Sequence, residues 1–269
     1  MKIFIIFSIL HIISFNAYCQ YDQQNIETQV IKSKPPIVGE DLTYVVKYAF
    51  LNLGEVRFKV VEKTNVNDIS VYKTMAFIDS YPDLPIVSVH QIYESYIDSS
   101  SFPQKFIARI FGEDTILVEY IFTKNSKIKM QKVKSDGTKI WFDSTTYTNQ
   151  QMQDGLSILY YTRMNFGEEK TISVPCFVNE KVETTIVNFN NESEAVSIDA
   201  VDYEIDCKYL SGKTDFVSVY GLTGDFEGWF SNDSQSVPIR AKMNVIIGSI
   251  NLELIKWNES IWTPPQFKN

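Results

Sequence analysis

Apolar and polar residues alternate in short runs along most of this chain. In Asp41–Tyr48, Leu42, Tyr44, Val46 and Tyr48 interleave with Asp41, Thr43, Val45 and Lys47. A period of two sends neighbouring side chains to opposite faces, so this run predicts a half-buried strand. Residues 52–54 predict a turn, after which Val56, Phe58 and Val60 alternate with Glu55, Arg57 and Lys59 in a return strand. The pattern recurs over residues 69–78, 86–97, 105–111, 116–123, 127–133 and 139–142. Clusters of Pro, Gly, Asn and Asp, such as Tyr81-Pro82-Asp83 and Ser135-Asp136-Gly137, separate these runs. Such clusters mark tight connections, and their regular spacing predicts an antiparallel meander.

One segment changes period. Leu156, Leu159, Tyr160 and Met164 recur at helical spacing, which predicts a helix of about three turns laid on the sheet. Asp154 is placed to accept the free amide hydrogens of its first turn, and Gly167 to end it. Strands then resume over residues 171–178 and 181–189, in one long run over 195–210, and over 216–219, 224–230 and 239–257. No composition shift or repeat divides the chain. The expected fold is all-β with one short helix: a single large, strongly curved antiparallel sheet, barrel-like or folded into two layers. It occupies residues 39–262, between a polar arm at 20–38 and a tail at 263–269.

The first nineteen residues have a different character. Lys2 precedes a nearly unbroken apolar run over residues 3–13, and Ala17 and Cys19 place small residues at −3 and −1 of a cut before Gln20. This is the pattern of a cleaved export signal, too short to be read as a membrane span. A lipoprotein signal also ends at a cysteine, but bulky Tyr18 fits that signal poorly, so lipidation at Cys19 is the secondary reading. The expected location is the periplasm or the outer-membrane surface, with no transmembrane span in the mature chain. ATP- and NADH-dependent chemistry is unsupported there.

Composition narrows the partners. Aromatic residues make up 14% of the chain, and the formal charge is −8. Abundant Phe and Tyr among Val, Ile and Thr favour strands. An acidic surface repels phosphate backbones and lacks a polybasic dock for anionic lipid, so nucleic acid is not expected as a partner. Two cysteines remain beyond the leader, Cys176 and Cys207. In an exported chain they can pair as a disulfide; both also fall on apolar strand faces, as buried thiols do. There is no CxxC, hence no redox or zinc-ribbon motif.

Four blocks, in order and spacing, resemble the DUF3108 family of exported bacterial proteins. They are Gly39-Glu40-Asp41-Leu42-Thr43-Tyr44 with Leu53-Gly54-Glu55-Val56; Asp154 through Arg163; Gly228-Trp229-Phe230-Ser231-Asn232-Asp233; and Pro238-Ile239-Arg240-Ala241 running to Gly248-Ser249-Ile250. The resemblance implies an all-β protein of a bacterial envelope, with a Gram-negative source expected. It implies no enzyme activity and brings no catalytic residues, since the family's function is unknown.

Direct tests for chemistry find no catalytic or metal-binding motif. His90 is the single histidine after the leader, sits mid-strand, and has no GxSxG elbow near it. A catalytic zinc usually draws on several histidines. Asp199, Asp202, Glu204 and Asp206 lie close in sequence, but a strand spreads alternate acids about 7 Å apart, which predicts a solvated outer face, not a calcium loop. No cofactor is expected. The best candidates for ligand binding are Trp229, Phe230, Asp233 and Arg240, with Tyr160 and Arg163 on the helix. An Arg beside an indole or a carboxylate can act as a structural clamp or grip a ligand; helix cap and surface charge are the default readings for Asp154 and Arg163. The leading function is a non-enzymatic binding module for an envelope lipid or glycan. An assembly factor acting through protein contacts, or an unrecognised hydrolase, are the alternatives.

Overall fold

The structure, a computed structural model, describes residues 36–268 apart from 83, 85–87, 124–125, 215, 217–222 and 246–247. The leader, Cys19 and nearly all of the expected arm lie outside the described residues, as do most of the strand expected at 216–219 and the start of the one expected at 86–97. Among the described residues, fourteen strands and one helix follow in chain order: β1 (Asp41–Tyr48), β2 (Leu51–Val66), β3 (Ile69–Ser80), β4 (His90–Ile97), β5 (Pro103–Phe111), β6 (Ile116–Thr123), β7 (Lys127–Lys134), β8 (Lys139–Tyr147), α1 (Ser157–Met164), β9 (Lys170–Val178), β10 (Lys181–Val196), β11 (Ile205–Thr214), β12 (Gly224–Ser231), β13 (Pro238–Asn244) and β14 (Ser249–Trp257).

All fourteen strands form one antiparallel sheet in the order β8-β7-β6-β5-β4-β3-β2-β1-β14-β13-β12-β11-β10-β9. The chain meanders through each half, and β1 pairs with β14 to join them. The expected large antiparallel sheet is therefore present. It is curled but not closed, because β8 and β9 remain as its two edges. The curl brings distant strands face to face: Tyr120 of β6 meets Phe177 of β9 edge-on with ring centroids 5.0 Å apart, and the Tyr120 hydroxyl donates to Glu180 at 3.3 Å.

The seam is managed locally. The β8–α1 connection runs parallel to β9, where Gln153 donates its amide to Pro175 O at 2.8 Å and accepts from the Phe177 amide at 2.7 Å. Pro175 has no amide hydrogen to offer, and an edge strand is where a sheet tolerates that.

Two ends can be distinguished. At one lie the β1–β2, β3–β4, β11–β12 and β13–β14 connections. At the other lie the start of β1, the β4–β5 and β12–β13 connections, and α1. A buried cluster including Leu42, Tyr44, Tyr93, Phe106, Leu156 and Tyr160 fills this second end. A smaller one, with Phe166, Val174, Val187, Leu210 and Phe230, packs beneath β9–β12.

Several sequence expectations are corrected. The first turn lies at Ala49–Phe50, not at residues 52–54, and Ala49 sits at φ 51°. Val46 pairs with Gly54 but Lys47 pairs with Asn52, so Leu53 is an extra residue bulged out of β2. The run 195–210 is two strands, because Ile198 leaves the ladder to bury in the core and Asp199 reaches across to Lys47. The run 239–257 is broken at Gly248, whose φ of 83° suits glycine. The helix has eight residues, little more than two turns. Within residues 263–268, Pro265 O accepts the Asp206 amide and the Phe267 amide donates to Glu204 O, both at 2.8 Å.

Cys176 and Cys207 do not pair; both are free and buried. Cys176 lies opposite Glu183 and Cys207 opposite Glu194 on the intervening strand β10. Those positions are roughly 30 Å apart along a strand, against the Cα separation of about 7 Å that a disulfide tolerates.

A Cβ at Gly54 would lie 2.1 Å from the Asp79 carbonyl oxygen and 2.7 Å from the Ser80 Cα. Gly54→Ala is therefore expected to destabilise the fold by about 1–3 kcal/mol through overpacking. Urea denaturation measures it, and an unchanged midpoint would show that β2 and β3 can separate freely.

Candidate functional site

The helix is seated by polar contacts from three distant parts of the chain. At its start, Asp154 Oδ1 accepts the amides of Leu156 and Ser157, both at 2.7 Å, and Oδ2 accepts the Ser95 hydroxyl of β4 at 2.6 Å. The carboxylate thus meets the first-turn amides as the sequence predicts, but it is fully buried. Burial pushes its pKa up to about 6, although these hydrogen bonds favour the charged form.

Arg163 corrects the surface-charge expectation, since it is only 5% exposed. Its Nη1 and Nη2 donate to the Glu40 carboxylate at 2.7 and 2.6 Å, and its Nε to Gln235 O at 3.1 Å. Burial alone would lower the guanidinium pKa, but Glu40 more than offsets that and holds the group charged. Arg163 also lies over the Tyr160 ring, 5.4 Å from its centroid. The Tyr160 hydroxyl is buried without a hydrogen-bond partner among the described residues. Tyr44, buried beside this pair, donates to Pro238 O at 2.8 Å.

The six candidate residues do not converge on one place. Arg163 and Tyr160 belong to this lock. Asp233 organises the β12–β13 turn: Oδ1 accepts from the Ser231 hydroxyl and the Gln235 and Ser236 amides, and Oδ2 accepts the Trp262 indole N–H at 2.7 Å. Trp229 and Phe230 are consecutive strand residues and so face opposite ways. Phe230 points inward, 4.7 Å from Phe166. Trp229 donates to Glu194 at 2.9 Å and packs on Tyr209 at 5.5 Å. Arg240 is exposed, directly across from Trp229 in the ladder.

Of the acidic cluster, Asp202 and Glu204 lie in the β10–β11 loop and Asp206 in β11, where it accepts from Ser193 and Asn232. Among the described residues no group of three metal-binding side chains converges. His90 is exposed at the start of β4, against Asp79 and the Phe111 ring.

An apolar interior space lies between α1 and the first end of the sheet. It has a volume of about 480 Å³, and its lining reaches Leu53, Ser80, Val89, Thr223 and Val245 at that end. Its walls are apolar: Val46, Phe58, Ile78, Val187, Ala241 and Leu252 come from both halves of the sheet, and Ile158 and Leu159 from the upper side of the helix. Asp154, Thr162, Cys176 and Thr185 form a small polar patch at the floor. Burial pushes the Cys176 thiol up to about 12, so it is an inert lining group. Gly212 makes room for Phe226, a lining residue, since a Cβ there would lie 2.1 Å from the Phe226 ring. Phe230 is the one sequence candidate among the six that borders the cavity. The alternation marked which strand residues face inward, but not which inward residues meet another side chain and which meet empty space.

The buried charges make two outcomes predictable. Arg163→Met leaves Glu40 buried without its counter-ion and is expected to cost about 3–5 kcal/mol; the double variant Glu40→Gln/Arg163→Met is expected to cost less. Urea titration of both proteins checks this, and a double variant less stable than the single would refute it. Asp154 in the unfolded chain returns to its ordinary value of 3.8, so between there and about 6 the folded state binds the proton more tightly. Stability from this group is complete below about pH 4 and is lost as pH rises through about 6, by roughly 3 kcal/mol. Asp154→Asn keeps a capping side chain and removes that slope; identical pH profiles for the two proteins would contradict the assignment.

Comparison with known proteins places this architecture. A β-barrel-like protein of domain of unknown function DUF1849 from Brucella abortus is 12% identical, with a TM-score of 0.54 over 82% of this chain and 97% of that one. A candidate exported protein of YmcC-like fold from Bacteroides fragilis NCTC 9343 is 7% identical, with a TM-score of 0.38 over 85% of this chain and 99% of that one. A candidate lipoprotein from Parabacteroides distasonis ATCC 8503 is 10% identical, with a TM-score of 0.34 over 84% and 97%. At these identities the first likeness shows the barrel-like fold alone. No curated protein matches the chain. The family model for DUF3108, a protein of unknown function, matches residues 43–255, and the chain belongs to that family.

Proposed function

We propose that this protein is an exported, non-enzymatic carrier or receptor for a hydrophobic molecule of the bacterial envelope, held in the cavity above α1. The observation that carries the reading is the cavity itself: about 480 Å³, with mainly apolar walls and a few polar groups beside α1. Ligand pockets fall in the range of about 300–1,000 Å³ and are lined mostly by apolar side chains with a few placed polar groups. A tightly packed barrel would have filled this space with side chains, since protein interiors seldom leave voids larger than a water molecule.

The lining favours lipid over glycan. A sugar needs many hydrogen-bonding partners, and stripping its hydroxyls of water against Val46, Leu252 and Ile158 would leave them unsatisfied. An acyl chain needs only apolar surface. The export pattern in residues 1–19 suits a protein that encounters envelope lipids. No helix of the described residues is long and apolar enough to cross a membrane.

Ala241 lines the cavity and has the smallest side chain on its wall of β13. Ala241→Trp is expected to fill the space and weaken binding of a fluorescent long-chain fatty acid by about ten-fold or more, with a cooperative thermal transition retained. Fluorescence titration measures this. Undiminished binding by a folded Ala241→Trp protein, or no binding by the unsubstituted one, would refute the cavity as the site.

A further inference from the structure

We propose that the tip of the β1–β2 hairpin is a membrane-docking element that sets the end of the cavity lined by Leu53 and Gly54 against a lipid bilayer. The lipid-carrier reading supplies the reason for such a contact, but the contact is tested separately from the cargo.

The tip is built against ordinary turn chemistry. Two-residue hairpin turns favour Asn, Asp and Gly, which accept positive φ and face water. Here the sequence is Ala49-Phe50-Leu51, and Ala49 takes φ 51° without being glycine. Phe50 is 91% exposed and Leu51 48%. A phenyl ring that exposed gains almost nothing from packing, so its place at the turn of the hairpin has no explanation within the fold.

The tip is also continuous with the cavity. The bulge at Leu53 resets the alternation of β2, so that Leu51 pairs with Tyr48 and shares its side of the sheet. Leu53 and Gly54, beyond Asn52 along the strand, line the cavity. Phe50, Leu51 and Leu53 thus lead from the tip toward the cavity, whose lining at this end also includes Glu55, Asp79 and Glu227. Phe111 at the end of β5, across from His90 at the start of β4, is exposed at this same end of the sheet.

The contact fits a bilayer better than a protein. A stable protein interface buries about 800 Å² on each partner, far more than two side chains provide. Shallow insertion of an aromatic and an aliphatic side chain into the headgroup region requires only apolar area. The chain's charge of −8 offers no attraction to anionic lipid, and Lys47, the nearest lysine in sequence, is engaged by Asp199 and Glu253. Docking should therefore occur on neutral phosphatidylcholine and be insensitive to salt.

Flotation with phosphatidylcholine vesicles tests this, run beside the fatty-acid titration. The unsubstituted protein should float at low and high salt alike. Phe50→Ser/Leu51→Ser should lower the partition coefficient by about ten-fold or more while binding the fatty-acid probe unchanged. In a second variant, Phe50→Trp, the emission of the introduced indole should shift to the blue on adding vesicles and be quenched by brominated acyl chains. Equal flotation of the serine variant, or an introduced indole that brominated chains do not quench, would overturn the proposal. So would a protein that binds the probe but never floats, which leaves the cavity reading intact. Self-association that is lost in the serine variant without any vesicle binding would identify a second copy as the occupant, and would equally overturn it.

Discussion

The buried pair between Glu40 and Arg163 is the contact on which the interior depends. Two charges removed from water are costly unless matched, and here two parallel hydrogen bonds match them, with Gln235 O taking a third guanidinium hydrogen. The pair joins the entry to β1, the helix and the β12–β13 turn. Those segments lie far apart in sequence, and the helix itself belongs to no strand ladder that could bring them together. Tyr44, beside the pair and bonded to Pro238 O, ties β1 to β13 at the same level. Seated in this way, a helix of eight residues, too short to be stable alone, becomes a plug at one end of a curled sheet.

The plug divides the interior. On its lower side Leu156 and Tyr160 are packed against Tyr93, Phe106 and the rest of the main cluster. On its upper side Ile158 and Leu159 pack against the smaller cluster and line the cavity. The same short segment thus completes a core and floors a cavity. Asp154 sits where the two meet, its carboxylate occupied by the helix amides and by Ser95. A sheet curled this far without a helix inside would have to fill its centre with larger side chains or collapse.

The sheet stays open, and this matters for the cavity. A closed barrel has a bore set by strand number and tilt. Here β8 and β9 do not pair; the β8–α1 connection covers part of the β9 edge, and the β9–β10 turn leans on β6 and β7 through Glu180, which accepts from Tyr120 and pairs with Lys132. Closure comes from side chains and one strand-like segment instead of a full ladder. The width of the interior is then set by how the sheet coils around α1.

By itself the sequence determined the all-β class, the antiparallel meander, the position of the helix and the contact of Asp154 with amides at its start, though the N-cap is Leu156 and not Asp154. Each follows from periodicity or local chemistry over a few residues. It placed most strands within a few residues but misplaced the first turn, because the bulge at Leu53 depends on the pairing of β1 with β2. It joined β10 to β11, because residues 197–204 keep an alternating pattern while docking elsewhere. Only the tertiary structure decided that Arg163 is buried, that Cys176 and Cys207 are held apart by β10, and that Trp229 and Phe230 serve opposite faces. It alone placed the cavity. Partners separated by 123 residues, as Glu40 and Arg163 are, leave no mark on local pattern, and an inward side chain looks the same in sequence whether it meets a neighbour or a void.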